Sequence, residues 1–176
     1  MNTNTFPEIQ TERLLLRRLQ VSDWEVVSYI RSDKKMNEFI KRPIDPSKEA
    51  ALKFITRINN NIDTNTVYHW VITKQNDPKM IGSICLWNFS EDKKTAEVGY
   101  DLSTAFQGKG IMNETLKTIL EFGFHTLQLD TIEAYTDRRN ESSKRLLEKN
   151  QFSIVLGKKD SDNEDNIVYE IKNNMR

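Results

Sequence analysis

Hydrophobic positions along this chain recur with two periods. In residues 11–19, Leu14 and Leu16 alternate with Arg13, Leu15 and Arg17, an imperfect period of two that predicts a short strand. Ser22, with Glu25 three residues on, has the form of a capping box and predicts a helix to about Arg31, covered along Val26, Val27, Tyr29 and Ile30. Pro43 and Pro46 disfavour helix in the residues before them, so 41–46 reads as a loop. Ser47 opens a second helix, in which Ala51, Phe54, Ile55, Ile58 and Ile62 recur at spacings of three and four, and a polar turn ends it by Asn65. Runs 68–74, 80–89 and 95–102 read as strands joined by short polar turns, an antiparallel meander. A glycine-containing loop, 106–110, leads into a helix over 111–126, striped by Met112, Leu116, Ile119, Leu120, Gly123 and Leu127. A strand over 131–136, a helix over 140–150 and strands over 152–156 and 167–171 follow, the last two joined by an acidic loop at 160–165. The order β-α-α-β-β-β-α-β-α-β-β describes an α+β fold with a mostly antiparallel central sheet flanked by helices. With no internal repeat and no low-complexity linker, residues 1–176 read as one domain.

Composition narrows the function. Lys and Arg number 26 and Asp and Glu number 26, so no global basic field favours nucleic acid as partner. The lone cysteine, Cys85, excludes an internal disulfide and a multi-cysteine metal site, and two histidines, His69 and His125, argue against a histidine-rich one; no metal is expected. The first ten residues are polar and lack the apolar run of a signal peptide, and no segment has the apolar length to span a bilayer. The expectation is a cytoplasmic protein without a membrane partner.

Candidate chemistry concentrates in residues 100–114. There a strand ends, Gly108 and Gly110 fall in a loop, and a helix begins. Unpaired N–H groups at a helix start, together with the helix dipole, make an anion site. Glycine permits positive φ and lets backbone approach a phosphate, and Lys109 adds a charge. Neither the Walker order nor the three glycines of a dinucleotide fingerprint are present. By itself the loop is equally a glycine-rich turn before a surface helix.

Its wider context is more specific. Gln107-Gly-Lys-Gly-Ile-Met112 resembles the acyl-CoA pyrophosphate loop, Q/R-x-x-G-x-G/A, of the GNAT acetyltransferase superfamily. Three separated pieces, in order, resemble its ribosomal-protein N-terminal acetyltransferase branch (RimJ/RimL-like). They are Thr11-Glu-Arg-Leu-Leu-Leu-Arg17, then Ala96-Glu-Val-Gly-Tyr100 running into the loop, then Asn140-Glu-Ser-Ser-Lys-Arg-Leu-Leu-Glu-Lys-Asn-Gln-Phe152, similar to N-x-x-S-x-x-x-x-E-K-x-G-F. Met112 and Gln151 depart from the pattern, each standing where a small residue is usual.

The resemblance implies acetyl-CoA as cosubstrate and transfer to a primary amine, a ribosomal or other protein N-terminus, by direct attack in a ternary complex. It implies that Tyr100 and Leu102 meet the pantetheine arm and that the amides of Gln107, Gly108, Lys109, Gly110, Ile111 and Met112 hold the pyrophosphate. Asn140 matches a cofactor-contacting asparagine and is also a good helix cap. Many members carry a proton-donating tyrosine where this chain has Leu147, so Ser143 becomes the candidate to protonate the leaving thiolate, or else it only occupies a first helical turn. Glu97 is the candidate base acting through water, or else a solvent-facing strand residue, with Asp101 and Asp137 as alternatives. His69 and His125 read as structural or surface residues. Cys85, far in sequence from the motif, is not expected to carry the acetyl group. Trp70, Trp87, Phe89 and Phe39 pack the core or line an acceptor cleft, and acceptor specificity is expected in 39–62 and near Asp160.

An α-amine has a pKa near ~8, so about a tenth is neutral at pH 7, whereas a lysine amine near ~10.4 faces a deprotonation penalty of about 4.6 kcal/mol. An N-terminal acceptor therefore needs only a weak base. Two other classes stay open: a non-catalytic acyl-CoA-binding sensor, suggested by Leu147 and Met112, and a small-molecule amine acetyltransferase. A homodimer is a further candidate assembly.

Overall fold

The computed structural model describes residues 6–174, so the first five residues of the polar N-terminal stretch and the last two of the chain lie outside the described residues. Strands β1 (Ile9–Gln10) and β2 (Leu14–Arg18) precede helices α1 (Trp24–Ser32) and α2 (Lys48–Asp63). The meander β3 (Tyr68–Lys74), β4 (Asp77–Trp87) and β5 (Thr95–Leu102) leads to α3 (Ile111–Glu121). Strand β6 (Thr131–Asp137), helix α4 (Glu141–Lys149), β7 (Ser153–Ile154) and β8 (Asn166–Lys172) complete the chain. The sheet runs β1-β2-β3-β4-β5-β6-β8-β7 and is antiparallel at every step but one, β5 beside β6.

The alternation of side chains across a strand divides the interior into two layers. On one face Leu14, Leu16, Ile84, Leu86, Ala96 and Val98 pack with Ile111, Leu116 and Ile119 of α3 and Leu147 of α4. On the other, Leu19, Val71 and Met80 pack with Val27 and Ile30 of α1 and Ala51 and Ile55 of α2. The expected stripes of α2 and α3 are thus the buried ones.

Several elements differ from the sequence expectation: β4 begins at Asp77, inside the expected turn, and ends at Trp87 rather than at 89, β7 keeps only Ser153–Ile154 of the strand expected over 152–156, and β1 has no counterpart in that expectation. Ser22 is exposed and does not cap α1. The chain turns in two residues earlier, at Gln20, whose N–H donates to Asp23 Oδ2 at 2.8 Å, and a short 3-10 turn (Val21–Asp23) precedes the helix. Asp23 is held there by a bidentate ion pair with the buried Arg17, 2.7 and 2.9 Å, a tertiary contact that outranks a local cap. The helix expected over 111–126 ends at Glu121 and widens into a π-helical turn, Phe122–Thr126. That turn sets Phe122 edge-on to Tyr68 and Trp70, with centroids 5.6 and 5.1 Å away. It also brings Gly123 so close to β6 that a Cβ would lie 2.7 Å from Ile132 Cδ1.

Gln151 takes the backbone shape its usual glycine would have, φ 66°. Its N–H donates to the Glu148 carbonyl and that of Phe152 to the Leu147 carbonyl, 3.0 and 3.1 Å, a Schellman closure of α4. Gln151→Gly should therefore raise thermal stability, by up to about 1 kcal/mol; an unchanged or lower melting midpoint would contradict this account.

Candidate active site

Strands β5 and β6 pair only over Thr95–Glu97 against Thr131–Glu133 and then part. From Val98 to Leu102 the β6-facing edge of β5 has no strand partner, although its other edge stays paired to β4. A sheet rarely leaves such an edge unpaired in its middle, because unpaired backbone groups are costly away from water. An extended polar arm could pair with that edge in place of a strand.

The glycine loop lies beyond the C-terminal end of β5. Gly108 and Gly110 have φ of 73° and 75°, the left-handed region, and a Cβ at Gly108 would touch nothing within 4 Å. The Gln107 N–H, expected in the donor row, is instead spent on the Thr104 carbonyl at 3.3 Å in a short turn, whereas the N–H groups of Gly108 through Asn113 find no acceptor among the described residues. Six free donors at the mouth of α3 suit an anionic group carrying several oxygens. Ile111 is buried and Met112 packs on the core, so both offer backbone only. The Met112 departure therefore leaves the donor row intact. Gln107 turns its amide inward, Nε2 donating to the Leu102 carbonyl at 2.8 Å, and the Leu102 side chain is in the core. Lys109 Nζ folds back onto the Ala105 carbonyl at 2.8 Å.

Sequence reasoning missed what holds this loop. Glu114, one turn into α3, accepts from Thr11 Oγ1 at 2.6 Å, from the Arg13 N–H at 3.1 Å and from Arg13 Nε at 2.6 Å. Arg13 Nη1 also donates to the Lys109 carbonyl at 3.1 Å. Partial burial opposes ionisation of Glu114, but these bonds outweigh it and hold its carboxyl below the ordinary range. The Thr-Glu-Arg start of the chain is thereby a buttress of the loop a hundred residues on.

On the α3–α4 side of the opening, Asn140 Oδ1 accepts from the Ser143 N–H at 3.1 Å and caps α4. The cap uses only the oxygen; the amide nitrogen makes no hydrogen bond among the described residues and is available to a cofactor. Ser143 Oγ lies 2.7 Å from the hydroxyl of Tyr100. Burial pushes the Tyr100 phenol up to about 12, with the Ser143 contact opposing, so both hydroxyls are protonated at neutral pH. Leu147 is fully buried in the core.

The opposite face of β5, toward α1 and α2, carries Glu97, Gly99 and Asp101. Register sets Glu97 between Trp87 and Glu133, Gly99 beside Cys85 and His69, and Asp101 beside Ser83. Gly99 leaves a shallow floor: a Cβ there would stand 3.2 Å from Cys85 Sγ and 3.8 Å from Trp87 Nε1. Burial raises the Glu97 carboxyl to about 7, helped by the charges of Asp160 and Glu133 and opposed by Asn88 and Lys158. Asn88 Nδ2 donates to Glu97 Oε2 at 3.4 Å.

The other expected acids are differently employed. Asp101 is raised by burial while Ser83 donates to its Oδ1 through both N–H and hydroxyl, 3.0 Å each. Asp137 is bound bidentately by Arg139, 2.9 and 2.7 Å, which holds it at about 2 and makes it a poor base. Burial pushes His69 down to about 4, neutral at physiological pH, and His125 is exposed on the π turn. Cys85, distant in sequence, borders the floor after all, but burial raises its thiol to about 12, unsuited to a thiolate nucleophile. Trp70 is core, its Nε1 donating to the Pro7 carbonyl at 2.7 Å, whereas Trp87 is 43% exposed beside Glu97.

The segment after α1 meets the acidic loop across this face. Lys41 Nζ is 3.4 Å from Asp165 Oδ2, Arg139 stands over Phe39, and Arg138 donates to the Glu164 and Asp165 carbonyls. Among the described residues no cluster of three metal-binding side chains occurs, and no helix is long and apolar enough to cross a membrane.

Comparison with known proteins bears on the family and the fold. The model of the Acetyltransferase (GNAT) domain family matches residues 13–153. The protein named probable N-acetyltransferase YjcK, from Bacillus subtilis (strain 168), is 31% identical over 149 residues, 82% of each chain. Among solved structures, the ribosomal-protein-S5-alanine acetyltransferase from Vibrio fischeri superposes with a TM-score of 0.82 at 21% identity, covering 96% of this chain and 98% of that one. RimL, a ribosomal L7/L12 alpha-N-protein acetyltransferase solved in complex with coenzyme A, superposes with a TM-score of 0.80 at 18% identity, covering 94% and 98%.

Proposed function

This chain belongs to the GNAT acetyltransferase family, and on that premise we propose that it transfers the acetyl group of acetyl-CoA to a protein N-terminal α-amine, as the RimJ/RimL branch does. The observation that carries the reading is the placement of acid and base on the two faces of one strand. Glu97, near 7, faces the acceptor side of β5, and the Tyr100–Ser143 hydroxyl pair faces the α3–α4 side. The unpaired edge between them is where a thioester would lie. When bound, acetyl-CoA supplies the activated acyl carbon; the free amides of 108–113 hold its phosphates and Asn140 Nδ2 its arm.

The acceptor amine attacks that carbon directly, its proton leaving through water to Glu97. As the C–S bond breaks, Ser143 gives its proton to the departing sulfur, leaving free thiol; the Ser143–Tyr100 pair regains that proton from solvent water, to which Glu97 returns the one it took from the amine. A base near 7 suits an amine near ~8; a lysine amine near ~10.4 would ask about 3 kcal/mol more of it. The names of the superposing ribosomal-protein acetyltransferases add support for the acceptor class.

The test is turnover: acetyl-CoA with peptides of free or blocked α-amine, followed by thiol release and mass mapping. Acetylation at a lysine with the N-terminus untouched, or cofactor binding with no turnover on any acceptor, would overturn the reading. Ser143→Ala and Tyr100→Phe should each lower kcat about tenfold or more with little change in cofactor affinity. If the two hydroxyls act as one relay, the double variant should be scarcely slower than either single one.

A further inference from the structure

Three arginines gather on the acceptor face without a carboxylate bound to them. Arg31, in α1, places its Cζ 4.2 Å from the centre of the Phe54 ring, and Arg57, in α2, places its own 5.5 Å from the same ring. Arg42 reaches in from the segment after α1, Nε donating to Asn37 Oδ1 at 2.6 Å and Nη2 to the Ile30 carbonyl at 3.2 Å. Four other arginines are paired to acids, Arg13 with Glu114, Arg17 with Asp23, Arg18 with Asp63 and Arg139 with Asp137, while Arg138 is taken up by the Glu164 and Asp165 carbonyls and Arg145 stands exposed on α4. Arg31, Arg42 and Arg57 have no acidic oxygen within 4 Å among the described residues, and Arg31 and Arg57 make no hydrogen bond there.

Their surroundings do not neutralise them. Burial holds Arg31 below its ordinary value, and the charges of Arg42 and Arg57 lower it further. Burial likewise lowers Arg42. The one acid acting on both is Asp101, itself buried and engaged by Ser83. Half-buried like charges destabilise one another unless an anion joins them, and the planar guanidinium fork is the side chain best matched to a carboxylate. The location is equally telling. Asp101 shares its face of β5 with Glu97 and Gly99, and strand residues two apart are roughly 7 Å apart along that face.

We propose that Arg31, Arg42 and Arg57 receive an acidic side chain of the acceptor, so that the enzyme favours N-termini bearing Asp or Glu at the second or third position. An amine seated over the Gly99 floor, with its chain running toward Asp101, brings those positions to the arginines, since extended peptide spans about 3.3–3.6 Å per residue. The inference rests on the N-terminal acceptor proposed above.

The experiment is a panel of peptides identical except for Glu, Gln or Lys at position two or three, acetylated by the intact protein. Glutamate peptides should show kcat/KM at least tenfold above glutamine peptides and further above lysine peptides, mainly through KM, with the ratio shrinking as salt rises. Arg31→Gln should bring the glutamate-to-glutamine ratio toward one. Arg57→Glu, at an exposed position that leaves the fold in place, should favour the lysine peptide relative to wild type. Acetylation of all peptides at equal kcat/KM would overturn this inference and leave the proposed function standing. Turnover of small anionic amines alone, with no peptide acetylated, would overturn both.

Discussion

Valine in place of Gly110 should weaken acetyl-CoA binding at least tenfold. Gly110 sits at φ 75° at the N-cap of α3, where it orients the free amides of 111–113. A β-branched residue in the left-handed region costs about 1–2 kcal/mol or more. The chain can relieve that strain only by rotating the peptide, which turns the amides away from the phosphates. Its Cβ would stand in ordinary contact, 3.5 Å, with Arg13 Nη2 on the side chain that braces the loop through Glu114, so the strain lies in the backbone. Gly157→Val is the control, because Gly157 has the same backbone sign, φ 82°, with nothing within 4 Å of its Cβ. Both variants should lose some thermal stability, and only Gly110→Val should lose affinity in calorimetry. Unchanged affinity in Gly110→Val would show that the loop is a turn and nothing more.

Glu97→Gln should remove one limb of the pH–rate profile. In the wild-type protein kcat/KM should rise through an inflection near 7, where Glu97 ionises, and again near ~8 as the α-amine loses its proton. The variant should lack the first inflection and be slower by as much as 10²-fold, the lower end of general base catalysis. The deficit should peak between about 7 and 8. Below that window Glu97 is itself protonated; above it the amine arrives neutral. A deficit equal at all pH values would mean that Glu97 positions the acceptor and that the proton leaves by another route.

The same shift has an opposite consequence for stability. The folded carboxyl holds its proton up to about 7, the unfolded one only to its ordinary 4.5. Between those values the unfolded chain binds fewer protons, so raising the pH draws the equilibrium toward unfolding. Glu97→Gln should therefore melt higher than wild type at pH 8, while near pH 4 the difference should vanish. A variant slower in catalysis yet more stable at pH 8 cannot be explained by damage to the fold.

Periodicity placed much of this molecule from sequence, because period two and period 3.6 are local consequences of backbone geometry. Strands β3 and β5 and the start of α3 begin where the pattern predicts, and α4 carries its Asn140 cap as expected. The glycine loop was legible for the same reason, since two glycines before an amphipathic run announce both the left-handed turns and the bare amides. What the sequence could not show depends on partners far along the chain. Ser22 and Glu25 satisfy a local capping rule, but Asp23 is committed to Arg17, so the chain turns in at Gln20 instead. The packing of Phe122 on Tyr68 and Trp70 accompanies the π turn that ends α3, and no local signal marks it. The Glu97 carboxyl rises to about 7 chiefly because the folded sheet strips its water away, and Tyr100 meets Ser143 across 43 positions of sequence. Arg31, Arg42 and Arg57 belong to no motif. They converge because α1, α2 and the segment between them close over one face of the sheet, against β3 and β4, and like-charge proximity is a property of that packing, which no spacing along the chain encodes.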